Sequence, residues 1–359
     1  MNHTFINGLD LSELFYKEAV KPLLSKHYPD LTYSAALIGM GSEVLGFDTP
    51  QSTDHDWGPR LMLFLSQADH ESHQRTINQV LRQELPPQIH GYPTNFGSHE
   101  DGTGVMEETD SGLINHRVMV LTVGGFFRYV LNFDPTGEIR VVDWISVPEN
   151  TLLMLTAGRV FYDSLGELEP IREKLSYYPH EVWLYLLAAQ WRRIGQEEAF
   201  MGRCGQVGDD LGSRLVASRL VRDMMRLCFL MERKYAPYIK WFGSAFAQLD
   251  CAATLTPIFT QVFDASSWEE RQTHLSRAYE YVAQMHNDLG ITAPLPTDVS
   301  AFHNRPFLVI HADRFMDTLR ATIQSEEVLA LPDHLGGFDQ FIDSTDAQNF
   351  PERFHGIFG

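Results

Sequence analysis

Cysteine is scarce. Cys204, Cys228 and Cys251 are the chain's only three, they form no CxxC pair, and each sits among apolar residues of helical spacing. That argues against a thiolate zinc site and for buried free thiols. Uninterrupted apolar runs of about 18 residues are absent as well, so neither a spanning helix nor a membrane partner is expected. The N-terminus, MNHTFINGLDLSELF, lacks a basic stretch followed by an apolar one and does not read as a signal peptide. A cytoplasmic location is the expectation. Basic charge is also in short supply: 28 Lys and Arg stand against 47 Asp and Glu, a net charge of −19. Such a surface repels a nucleic-acid backbone, so a small or protein acceptor is expected and duplex nucleic acid is not.

At 359 residues the chain suits two domains, and 44% hydrophobic residues supply two cores. The first part reads as mixed α/β. Asp10-Leu-Ser-Glu13 has the form of a capping box opening a helix toward Lys26, which Pro22 kinks or splits. Leu31–Gly39 is β-branched, aromatic and small and ends in glycines, as a strand entering a tight turn does. Arg60–Leu65, His116–Val123 and Ile139–Trp144 are further strand candidates, and Ser72–Leu85 is a helix stopped by Pro86-Pro87. Residues 90–112 read as one long loop. From about residue 166 the texture is helical. Trp183, Leu187, Trp191 and Ile194 share one face, as do Val216, Leu220, Met224, Leu227 and Met231, and Ser266–Glu269 reads as another capping box. The expected fold class is α+β, with a mixed α/β domain over 1–165 and a mainly helical, substrate-binding domain over 166–359.

The stretch that carries chemistry runs from Gly41-Ser42 to Asp54-His-Asp56. A strand delivers Gly41 and Ser42 to a turn whose amides can cradle phosphate, and Ser42 adds an uncharged donor. Two carboxylates at i and i+2 on an extended segment point to one side, where a divalent cation between them offsets their repulsion. Mg²⁺ with one or two carboxylates and substrate phosphates is the natural occupant, Mn²⁺ the alternative.

Strand, Gly-Ser turn, loop and Asp-x-Asp in this order resemble the DNA polymerase β-like nucleotidyltransferase superfamily. The chain is closer still to a sparsely characterised bacterial family of stand-alone proteins with a helical second half. Tyr178-Pro-His-Glu-Val-Trp183, Gly208-Asp-Asp-Leu-Gly-Ser213 and Tyr235-Ala-Pro-Tyr-Ile-Lys-Trp-Phe-Gly243 look like that half. The resemblance implies that Asp54 and Asp56 hold Mg²⁺ and take part in catalysis, while Gly41 and Ser42 hold a nucleoside triphosphate. ATP is the expected nucleotide, with AMP passing to a hydroxyl of a small molecule or protein and pyrophosphate leaving. The sequence departs from the pattern in two places. His55 stands where an apolar residue is usual, with Gly58-Pro59 close behind. The strand candidate Asn115–Thr122 lacks the third acid, for which Asp143 comes first, then Glu108 or Asp110. Without that acid, a nucleotide-binding regulatory module is the alternative. A partner-binding protein of the toxin–antitoxin kind is a further one.

Elsewhere, Arg219, Arg222, Arg226 and Arg233 line one helical face, either as a solvated stripe or as a triphosphate or acceptor contact. Lys240, with Lys234, Tyr235, Tyr238 and Trp241, either meets phosphate beside stacking rings or cements the helical domain. Arg219, Arg222, Arg226 and Lys240 are accordingly candidate nucleotide-binding residues. Trp183 and Trp191 read as core, Asp209 and Asp210 as caps, and His70-x-x-His73 lacks a zinc context.

Overall fold

The computed structural model describes residues 4–98, 103–109, 112–333, 335–349 and 356–357. In chain order its main elements are α1 (Gly8–Phe15), α2 (Lys21–His27), β1 (Tyr33–Leu37), β2 (Arg60–Leu65), α3 (Gln67–Glu84), β3 (Gln88–Ile89), β4 (Tyr92–Pro93), β5 (Phe96–Ser98), β6 (Gly104–Met106), β7 (Arg117–Thr122), α4 (Val123–Leu131), α5 (Val141–Ser146), α6 (Glu149–Thr156), β8 (Arg159–Asp163) and α7 (Leu168–Lys174). There follow α8 (His180–Glu197), α9 (Phe200–Gln206), α10 (Asp210–Met231), α11 (Ile239–Phe246), α12 (Ala252–Asp264), α13 (Trp268–Asp288), β9 (Ser300–Ala301), β10 (Leu308–Val309), α14 (Asp313–Thr322), α15 (Glu326–Leu329) and α16 (Phe338–Phe341). The fold is α+β. Residues divide into two compact units, Met1–Ile139 with Thr151–Ser176 and Arg140–Asn150 with Tyr177–Gly359.

The first unit is built on a four-stranded sheet ordered β7-β2-β1-β8. β1 runs antiparallel to β2 and β8, with Tyr33 opposite Leu65, and β2 runs parallel to β7, with Arg60 opposite Arg117. Strand alternation sends Leu61, Leu63, Leu65, Val118 and Val120 to one face, where Leu11, Phe15, Ile77 and Leu81 from the helices complete the core. The first helix opens one turn earlier than Asp10–Glu13 suggests. Asn7 accepts from the Asp10 amide at 3.0 Å, while Asp10 and Glu13 both pair with Arg159. A π turn at Tyr16–Val20 precedes Pro22, which falls in the first turn of α2, where its missing N–H interrupts no bond.

Two further expectations are corrected. Residues 90–112 are not a plain loop, since two small hairpins, β3-β4 and β5-β6, occupy the stretch around them. Residues 139–144 form no strand: α5 takes their place and belongs to the second unit. A short buried apolar run fits either element, and here Asp143 closes the first turn by accepting from the Arg140 amide at 3.1 Å.

In the second unit α8 packs against α10 and α14, and α13 against α10 and α12. Trp191 stacks on Phe315 at 4.1 Å and donates to His286 Nδ1, whose imidazole burial pushes down to about 4. Trp183 donates to the Leu230 carbonyl at 2.7 Å and lies under Arg233. Two buried carboxylates hold irregular chain in place. Glu198 accepts from the amides of Ile310, His311 and Ala312 at 2.9–3.3 Å. Glu149 accepts from the Ala236 amide at 2.9 Å, its own amide donates to Asp339, and Arg226 lies 3.5 Å away.

Burial pushes the carboxyls of Glu198 and Glu149 up to about 7, with the nearby Asp339 charge adding to the effect on Glu149. The unfolded carboxyl titrates near 4.5, so the folded protein holds extra protons between there and about 7. This contribution to stability is complete below the unfolded value and is lost as pH rises through about 7. Urea denaturation of wild type should therefore show a stability slope in that window, and Glu198→Gln should flatten it. Glu198→Ala should lose about 2–4 kcal/mol by stranding three amides.

Candidate functional site

β1 ends at Leu37 and the chain turns through Gly39 (φ +86°) and Gly41 (φ +144°). At Gly41 a Cβ would lie 2.5 Å from both Arg60 Nη2 and Glu43 Oε2, so the position admits only glycine. The Ser42 carbonyl accepts from the Phe47 amide at 2.9 Å and closes the turn. Arg60, the first residue of β2, pairs with the buried Glu43 carboxylate and donates to the Met40 carbonyl at 2.9 Å. It thereby fastens the glycine turn to the head of the adjacent strand. A second fastening lies further along: Asp48 Oδ2 accepts from the Trp57 indole at 3.0 Å and from the Gly8 amide at 2.7 Å. Neither Glu43–Arg60 nor Asp48–Trp57 was legible beforehand, because no regular spacing links the partners.

Asp54 and Asp56 do not share an extended strand. Asp54 closes a 3₁₀ turn, Pro50–Asp54, His55 is extended, and Asp56 is left-handed (φ +47°). Gly58 (φ +137°) and Pro59 postpone regular pairing until Arg60, so the strict i, i+2 geometry is lost. Both carboxylates are more than half exposed. Asp54 Oδ1 meets His55 Nδ1 at 2.8 Å, while Asp56 Oδ1 accepts from the Gly104 amide at 3.0 Å and lies 3.9 Å from Arg117. The Asp56 amide in turn donates to the Gly104 carbonyl at 2.7 Å. Among the described residues no partner takes Oδ2 of either aspartate. Two exposed carboxylates, each with a free oxygen, fit a hard divalent cation by donor type.

Among the described residues no third acid is grouped with them. Asp143 sits on α5 in the other unit, and Arg140 engages both its oxygens at 2.6–2.9 Å. Glu108 is exposed beyond β6, and Asp110 lies outside the described residues. On β7, the strand beside β2, the residue opposite Arg60 is Arg117, a cation. No group of three His, Cys, Asp or Glu side chains among the described residues is placed to hold a metal.

The other candidates fall in the second unit or on helix faces. Arg219 pairs with Glu197 at 2.5 Å, Arg222 with Asp343 at 2.6 Å, and Arg226 lies between Glu149 and Asp339. Lys240 lies 5.1 Å over the ring of its neighbour Trp241. Asp209 caps α10 by accepting from the Gly212 amide. His70 bonds the Val120 carbonyl and His73 packs on Tyr28, which accounts for both histidines. No helix among the described residues is long and apolar enough to cross a membrane.

Asp48 gives the site's first test. Asp48→Ala strands the buried Trp57 indole and the Gly8 amide at the first turn of α1. Urea denaturation should register a loss of about 2–4 kcal/mol.

Comparison with known proteins gives three findings. A family model described as "Domain of unknown function (DUF4037)" matches residues 144–242. No curated protein matches the chain. Among solved structures, a nucleotidyltransferase-like protein from Exiguobacterium sibiricum is similar at 9% identity and a TM-score of 0.31, over 85% of this chain and 88% of that one.

Proposed function

We propose that the first unit binds a nucleoside triphosphate with Mg²⁺ through Gly41, Ser42, Asp54 and Asp56, and passes a nucleoside monophosphate to an acceptor hydroxyl. One observation carries this reading: Arg60 ties the glycine turn to the strand head just beyond two exposed aspartates, each with a free oxygen. Amides of a glycine turn bind phosphate, and oxygen ligands suit Mg²⁺. With ATP, the acceptor oxygen attacks the α-phosphorus, a new P–O bond forms, and the bond to the β-phosphate oxygen breaks. AMP stays on the acceptor, pyrophosphate departs, and the hydroxyl proton passes to solvent water. Bound Mg²⁺ would offset charge on the phosphates. Gly41 and Ser42 position the triphosphate, and Asp54 and Asp56 hold the cation.

A second reading, binding without transfer, is favoured by Arg117. It lies 3.9 Å from Asp56, on the strand where transfer would ask for another carboxylate. A guanidinium there can meet a phosphate oxygen but, as a cation with no lone pair to offer, supplies no base for the acceptor's proton.

Calorimetric titration with ATP and Mg²⁺ separates the readings. Wild type should bind only with metal, and the Asp54→Ala/Asp56→Ala double variant should lose at least about tenfold in affinity. Pyrophosphate release in the presence of acceptor supports transfer, and binding without release supports the second reading. A folded wild type that binds no triphosphate with Mg²⁺ overturns both.

A further inference from the structure

The second unit holds a polar cavity of about 270 Å³. Its wall includes Arg193 from α8, Arg219, Arg222 and Asp223 from α10, and Asp339 and Asp343 from α16 and the chain that follows. This is below the roughly 300–1,000 Å³ of sites for drug-sized ligands. A nucleoside triphosphate is therefore a poor fit, whereas a small polar molecule has room.

Asp223 is the informative residue. It is 4% exposed, and among the described residues its Oδ2 has no hydrogen-bond donor. Its other oxygen is 3.5 Å from Arg193 Nε, a stretched contact. Buried carboxylate oxygens are normally satisfied, so this one calls for a donor from outside the protein. The guanidiniums call for the opposite. Arg222 is held by Asp343, whose side chain is 69% exposed, and Arg219 is held by Glu197. Exposed ion pairs of this kind exchange partners at little cost, so a ligand's anion can take Asp343's place at Arg222. The wall carries three guanidiniums and three carboxylates. A simple anion would gain from the first set and be repelled by the second, and a simple cation would meet the reverse.

We propose that this cavity binds a small zwitterion, with its phosphate or carboxylate group at Arg219 and Arg222 and its ammonium group at Asp223. Gln340 gives the wall a fixed edge: its amide nitrogen donates to the Leu186 carbonyl and the Gln190 side chain, and its oxygen accepts from the Gly337 amide. The proposal stands apart from the nucleotide reading, since it needs neither metal nor nucleotide.

The test is calorimetric titration of the full chain in EDTA with O-phosphoethanolamine and with β-alanine, beside inorganic phosphate and ethanolamine as half-ligands. At least one zwitterion should bind about tenfold more tightly than either half-ligand. Asp223→Asn, which keeps the side chain's shape, and Arg222→Gln should each weaken it about tenfold, with circular dichroism confirming that both variants are folded. A phosphate-bearing zwitterion binding more tightly than β-alanine identifies the anion as phosphate, and the reverse order identifies a carboxylate. Phosphate binding as tightly as the zwitterions, unchanged affinity in the folded Asp223→Asn variant, or no zwitterion binding up to about 10 mM each overturns the proposal.

Discussion

The candidate site depends on a charge that has to be answered underground. Glu43 is buried beside the glycine turn, and a buried carboxylate persists only when paired or hydrogen-bonded. Arg60 pairs with it and also reaches the Met40 carbonyl, so one guanidinium fixes the end of β1 against the start of β2. The glycine at 41 follows from this arrangement, because any side chain would occupy the space that the ion pair fills. Asp48 fixes the far side of the same loop by joining Trp57 to the first turn of α1. Between these two fastenings the loop bearing Asp54 stays open to solvent.

The helical unit uses buried acids for another purpose. Glu149 and Glu198 take up amides of chain outside regular helices, at Ala236 and at 310–312, where no ladder is available. Hydrogen bonds replace a counter-ion in the case of Glu198, and burial still raises its carboxyl. Arg226 is shared by Glu149 and Asp339, leaving one cation to two acids. That scarcity agrees with a chain carrying far more acids than bases.

Elements with a long helical period or a compact apolar run were readable in the sequence. The strands at 33–37, 60–65 and 117–122 follow from short apolar runs bounded by turn-formers, and the helices at 180–197, 210–231 and 268–288 from helical spacing of their apolar residues. The hairpins between 88 and 106 were not readable, since strands of two or three residues leave no period. The strand expected at 139–144 is a helix because Val-Val-Asp-Trp-Ile suits either element, and Asp143 closes the first turn by accepting from the Arg140 amide. At the candidate site the order of Gly41, Ser42, Asp54 and Asp56 was legible, but not the backbone that carries them. Left-handed Asp56 is held by Gly104, nearly fifty residues later, and the acid partners of Arg219 and Arg222 lie 22 and 121 residues away.

The reciprocal bonds between Asp56 and Gly104 make the β5-β6 hairpin a spacer. A Cβ at position 104 would strike the Arg117 guanidinium, so the missing side chain sets how closely that cation approaches Asp56. The electrostatic environment of an exposed aspartate on one loop is therefore tuned by a hydrogen atom on another. Drift in the hairpin's length or register would change the charge that Asp56 experiences while leaving every residue of its own loop untouched.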